Sequence, residues 1–252
     1  MCDACQKGKS HQLPNPRSTS MSSSPFELVF SDVWGPASTS VGRNNYYVSF
    51  IDDFSKFTWI YLLCHKSEVF QKFHDFQSMV EWQFNKKFLA VQTDWGGEYQ
   101  RLNAFSQSIS ISHHVSCPHA HKQNGSAERK HGHIVEVGLT LHAHASMPLK
   151  FWDEAFVTAT YLINRLPSKV IQGQTLLERL FHQTPDYLKL RTFGCACWPN
   201  LCPYNSRKLQ FRSKQCIFLG YYLWSLTPII NHQHNLHIYL IPSPNIGIGG
   251  LN

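Results

Sequence analysis

The sequence predicts a mixed α/β domain over about residues 26–166, followed by a smaller β unit and an uncharged tail. Three observations predict it: short aromatic and β-branched runs come first, apolar residues then recur at helical spacing, and strands and helices alternate from there to Arg165. With 252 residues, 42% apolar and 13% aromatic, the chain can bury a sizeable core, which excludes disorder over most of its length. No apolar run approaches the roughly 18 residues that a membrane span requires.

The elements follow in order. Residues 6–25 are rich in Ser, Pro and Asn and read as a linker. In FELVFSDVWG, Phe26, Leu28 and Phe30 alternate with Glu27, Val29 and Ser31, which reads as a strand with Asp32 on its apolar face. YYVSFIDD and FTWIYLLC, split by a short polar turn, extend this into an antiparallel meander. Val69, Phe70, Phe73, Phe76 and Val80 then mark a helical face. FLAVQTD is a short buried strand ending at Asp94; an irregular stretch and a strand near Ile109–Val115 follow. Beyond the Pro118–Gly125 loop, Ala127, Ile134, Val137 and Leu141 predict a helix with Asn124 or Ser126 as its N-cap. A second helix over Leu149–Arg165 stops before Pro167.

Charge is distributed unevenly. Residues 1–155 carry 14 Lys/Arg and 14 Asp/Glu, whereas residues 156–252 carry 9 basic and 2 acidic residues and so supply the whole net charge of +7. All nine lie between Arg165 and Lys214, a block suited to a polyanionic partner. The eight cysteines form no evenly spaced framework and the chain opens without an apolar signal region, which points to a reducing compartment.

Three acids occupy positions that a core would ordinarily refuse: Asp32 on an apolar strand face, Asp94 closing a strand, and Glu128 in the first turn of a helix. Singly, each is what an ordinary strand-end or helix-N-terminal acid looks like. Converging, two carboxylates ~4 Å apart repel by roughly 4 kcal/mol at an effective dielectric of 20. A divalent cation removes that penalty, and oxygen-only ligation suits Mg²⁺ or Mn²⁺. Such ions can assist an in-line phosphodiester displacement.

The surrounding motifs are SDVWGP, YYVSFIDDFSKFTWIYL, TDWGGEY, QNGSAERKH and MPLKFWDEAF…YLINRLP. Together they resemble the integrase region of copia-type LTR-retrotransposon Pol polyproteins, from Cys2 to about Tyr222. The resemblance implies a ribonuclease-H-like mixed sheet flanked by helices, followed by a small β-barrel, and a catalytic, Mg²⁺- or Mn²⁺-binding triad of Asp32, Asp94 and Glu128. Thirty-three residues separate Asp94 from Glu128, two fewer than in the retroviral form, a difference expected to fall in a loop over Arg101–Ser112. The implied activity is 3′-end processing and strand transfer of element cDNA into target DNA, in the nucleus and by a homo-oligomer, with no covalent enzyme intermediate and no membrane association. Lys122, Gln123, Asn124, Arg129 and Lys130 are the implied DNA contacts. Lys122 stands where the family usually has Gln, and Gly132 where a basic residue is commoner.

Cys2 and Cys5 match the second half of the family's His-His-Cys-Cys zinc module, a half-site at most, since zinc takes four ligands. Zn²⁺ is therefore not expected here. Residues 1–25 read as a remnant of that module with its linker, 26–166 as the catalytic core, 167–222 as a basic, incomplete barrel-like segment, and 223–252 as a divergent tail. Truncation or a reading-frame disruption would account for that tail. His131-x-His133 and His142-x-His144 lie on helices, where residues two apart do not share a face, so they read as surface or partly buried histidines. Cys195, Cys197, Cys202 and Cys216 read as core thiols. Asp52, Asp53 and Glu98 read as structural, with support of the triad as a second reading for Glu98. Two other readings stay open: a catalytically decayed or domesticated nucleic-acid-binding remnant, and a ribonuclease-H-type nuclease.

Overall fold

The computed structural model describes residues 22–94, 96–116, 125–199, 212–213, 215–221 and 236–239. Aromatic and β-branched runs pair as predicted: β1 (Val29–Trp34), β2 (Tyr46–Asp52) and β3 (Thr58–Leu63) form an antiparallel meander. β4 (Ala90–Thr93) pairs parallel to β1, and β5 (Ser112–Val115) parallel to β4. The sheet order is β3-β2-β1-β4-β5.

The register divides the side chains between two faces. Phe50 and Trp59, cross-strand partners, face helix α1 (Val69–Phe84), where Phe76 stacks on Phe50 at 4.4 Å between centroids. Tyr47, Ser49 and Ile51 alternate with them and face α3 (Gly125–Ala145) and α4 (Trp152–Ile163). On that face Trp34, Tyr47, Trp152 and Phe156 form one aromatic cluster. Gly138 lets α3 approach α4, because a Cβ there would overlap the Phe156 ring. Asn164, just past α4, clamps the sheet edge: its side chain donates to the Thr58 carbonyl and accepts from the Thr58 N–H.

Three local expectations are corrected. Phe26 is not in the strand; it adopts φ 67° in the preceding turn and fills the α1-side core, so the alternation begins at Val29. The expected loop over Arg101–Ser112 contains helix α2 (Gln100–Ser108), anchored by buried Leu102 and Ser106 with Phe105 packed on Phe70; so few apolar residues hid its periodicity. Ser126 lies inside α3 and is not its N-cap, and Asn124 lies outside the described residues.

Beyond α4, the short helix α5 (Leu176–Phe181) opens with a reciprocal capping box between Thr175 and Glu178. β6 (Ala196–Cys197), β7 (Cys216–Tyr221) and β8 (Leu236–Tyr239) form a separate antiparallel sheet in the order β6-β7-β8. Among the described residues this sheet is not closed into a barrel. Four residues of the uncharged tail thus pair with β7. β7 packs on α4 through Gly220, whose φ of 121° and contact with Thr158 leave no room for a Cβ. Tyr221 stacks on Tyr161 at 4.2 Å, and the Arg165 guanidinium covers the other ring.

Two glycines give opposite expectations. Gly132 is exposed on α3 with nothing near a prospective Cβ, so Gly132→Ala should raise stability by about 1 kcal/mol in chemical denaturation. Gly220→Ala should lower it by about 2 kcal/mol through overlap with Thr158 and the positive φ.

Candidate active site

The parallel pairing of β1 with β4 brings Asp32, within β1, and Asp94, directly after β4, to the same end of the sheet. Asp32 is the ladder partner of Ser49 and shares a face with Phe30, against which Ala127 of α3 packs together with Ile51. That packing sets the first turn of α3, with Glu128, beside the acids, and the helix N-terminus favours the negative charge there.

Burial first, then the charge of Asp94, with further contributions from Glu128 and Glu98, push the Asp32 carboxyl up to about 7; only the Val33 N–H, 2.8 Å from Oδ1, opposes them. Asp94 is oriented by the Gly96 N–H at 3.1 Å from its Oδ1. Glu98 pairs with Lys66 at 3.0 Å, which neutralises it. Among the described residues, no three His, Cys, Asp or Glu side chains are drawn together closely enough to hold a metal ion by themselves. The donor chemistry nevertheless fits a hard divalent cation, which binds through one or two carboxylates and completes its shell with water and phosphate oxygens. Asp32, crowded by like charges with no cationic side chain paired to it, is where such a cation relieves the most repulsion.

Of the expected DNA contacts, Arg129 is exposed on α3. Lys130 is desolvated; burial, with the Lys56 charge adding to it, pulls its ammonium down to about 8, and it pairs with no acid among the described residues. Lys122, Gln123, Asn124, Cys2 and Cys5 lie outside the described residues.

Known proteins agree on the lineage. The retrovirus-related Pol polyproteins from transposons RE2 and RE1 of Arabidopsis thaliana are 47% identical over 222 residues and 43% identical over 239 residues, covering 88% and 95% of this chain. Over most of its length the chain is homologous to retrovirus-related Pol polyproteins of plant copia-type transposons. It spans 15% and 16% of the length of those two relatives. The 95% match runs past Tyr222, where the sequence motifs stop. No family model matches the chain. Among solved structures, a chain of the simian T-cell lymphotropic virus intasome in complex with a PP2A regulatory subunit superposes with a TM-score of 0.55 at 19% identity. That match covers 86% of this chain and 77% of that one. The shared fold is the ribonuclease-H-like mixed sheet expected from the motifs.

In this Pol segment three groups at the site escaped the motif reading. His131 is buried, and burial pulls its imidazole down to about 4, so the ring is neutral. Its Nε2 lies 2.7 Å from Ser49 Oγ and its Nδ1 3.6 Å from Asp32 Oδ2. Buried Tyr99 shares a hydrogen bond with Ser31 at 2.9 Å behind the acids. Lys66 supplies the counter-charge to Glu98. The helical phase of α3 carried a signal for the first of these: His131 falls on the stripe of Ala127, Ile134 and Gly138, whereas His133 is exposed.

Asp32 also makes stability depend on pH. Its folded-state pKa is raised above 3.8, so the folded chain binds the proton more tightly than the unfolded chain, and stability falls as pH climbs from about 4 to about 7. His131 opposes this, since its lowered pKa removes stability as pH falls from 6.5 towards 4. The Asp32 contribution is isolated by comparison with Asp32→Asn in metal-free buffer. The variant should be more stable at pH 8, by up to about 3 kcal/mol, with the gain vanishing near pH 4 in urea titrations.

Proposed function

We propose that this Pol segment is the catalytic core of a DNA integrase, a polynucleotidyl transferase that trims element cDNA ends and joins them to target DNA. The observation that carries the reading is the placement of Asp32 and Asp94 at one end of a ribonuclease-H-like sheet, with Glu128 in the first turn of the helix packed against it. Asp32 and Asp94 would hold Mg²⁺ or Mn²⁺ with Glu128 at its margin, and the bound cation would supply Lewis-acid activation of the attacking oxygen. The chain's own residues do the rest. The carboxylates would set where the cation sits, and Arg129 and Lys130 would hold the phosphodiester backbone beside it. In end processing, water attacks phosphorus; in joining, the exposed 3′-hydroxyl does. In each case one P–O bond forms as another breaks, and the departing 3′-oxygen takes up a proton.

Lys130 supports the DNA part of this reading. A half-buried ammonium with no acidic partner among the described residues, on the helix that carries Glu128, is suited to a backbone phosphate, as is exposed Arg129. DNA integration, a homo-oligomer and a nuclear location are parts of the same proposal.

The test is a disintegration assay on branched DNA with Mg²⁺ or Mn²⁺. Joined product is expected from the chain and none from Asp94→Asn. DNA retention without joining would move the reading to a nucleic-acid-binding remnant, and hydrolysis of RNA–DNA hybrids without strand transfer would move it to a nuclease. Separately, Lys130→Ala should weaken DNA binding on every sequence and lower the slope of log affinity against log salt by about 1.

A further inference from the structure

We infer that His131, held by Ser49, is a positioning residue that fixes the orientation of the Asp32 carboxylate for cation binding. This rests on the proposal that Asp32 is a metal ligand. Three groups stand in a row: Ser49, His131 and Asp32. Ser49 Oγ has two acceptors in reach: His131 Nε2 at 2.7 Å and the Asp32 carbonyl at 3.5 Å. In the proposed arrangement the hydroxyl donates to Nε2, which places the ring proton on Nδ1. That N–H faces Asp32 Oδ2 at 3.6 Å, beyond hydrogen-bond length here, and contacts of this kind close up when the reacting complex assembles. The ring has little freedom to do otherwise, since it is buried and meets the edge of Tyr47 at 5.2 Å between centroids.

The other oxygen of Asp32 is already bound by the Val33 N–H. Once the Nδ1 contact closes in the assembled complex, His131 holds Oδ2 and Val33 holds Oδ1, so both oxygens of the carboxylate have an orientation set by the protein. Ladder pairing of Ser49 with Asp32 fixes the outer end of the relay to the same pair of strands that carries the ligand. Loss of such an outer partner typically costs 10- to 100-fold in metal affinity.

The test measures Mn²⁺ binding to the full chain by calorimetry, with thermal melting in metal-free buffer as the measure of folding. His131→Leu should fold but bind Mn²⁺ at least about 10-fold more weakly. His131→Asn, which can present an N–H close to the Nδ1 position, should recover most of that loss, whereas His131→Gln, whose amide lies nearer the Nε2 position, should not. Wild-type affinity in His131→Leu would overturn the role of His131 alone. If His131→Leu does not fold, equal affinities in the Asn and Gln variants would overturn it instead. A wild-type chain that binds no Mn²⁺ overturns the metal reading, and the His131 role with it.

Discussion

A carboxylate on an inward face of a central strand, under a helix, is the constraint around which this end of the molecule is arranged. Asp32 cannot turn to bulk water without abandoning the register that pairs it with Ser49, and α3 covers it through the packing of Ala127 on Phe30 and Ile51. Its charged form is disfavoured by burial and by three neighbouring acids. The surroundings soften this without cancelling it. Val33 donates one backbone N–H, Lys66 neutralises Glu98, and the neutral His131 ring closes the remaining side.

The other buried carboxylates of the chain set a standard for comparison. Asp52 accepts from the Phe26 N–H and from both the N–H and the hydroxyl of Ser55, so it ties the residues before β1 to the β2–β3 turn. Asp153 accepts from Ser40 and Asn44 and pins the β1–β2 loop to the start of α4. Each has the donors that burial demands, and each holds loop to core. Asp32 has one backbone donor and three repelling acids. Asp32 is half-buried where the other two are buried, and the balance of donors against like charges is what separates an acid that fastens the fold from one suited to a cation.

How much of this was legible follows from what each residue's neighbours in sequence reveal. The meander, α1, α3 and α4 were visible because their buried residues recur at period 2 or 3.6, as Phe73, Phe76 and Val80 do on α1. The placement of Asp32 on an inward face was visible too, although Phe26 belonged to a turn, because the phase set by Phe30 survives that error. α2 was not, since two buried residues among seven others leave little periodic signal. His131 was read as one of a pair with His133, whereas what matters is its place beneath the Ala127–Ile134 stripe and opposite Ser49, a relation between α3 and β2 that no local window contains.

The charge asymmetry also acquires a structural setting. The basic block begins at Arg165, directly after α4, and that first guanidinium is committed to the Tyr161 ring, on which Tyr221 of β7 stacks. α4 therefore packs in two directions: Phe156 fills the gap left by Gly138 on α3, and Thr158 fills the one left by Gly220 on β7. Both contacts depend on a missing Cβ, so neither surface can slide without losing its fit. A continuous packed path then runs from Glu128 on α3 through α4 to the sheet built on β7. The neutral, acid-bearing half and the basic half are joined by close packing as well as by sequence, and the strand Leu236–Tyr239 extends that second sheet into the uncharged tail.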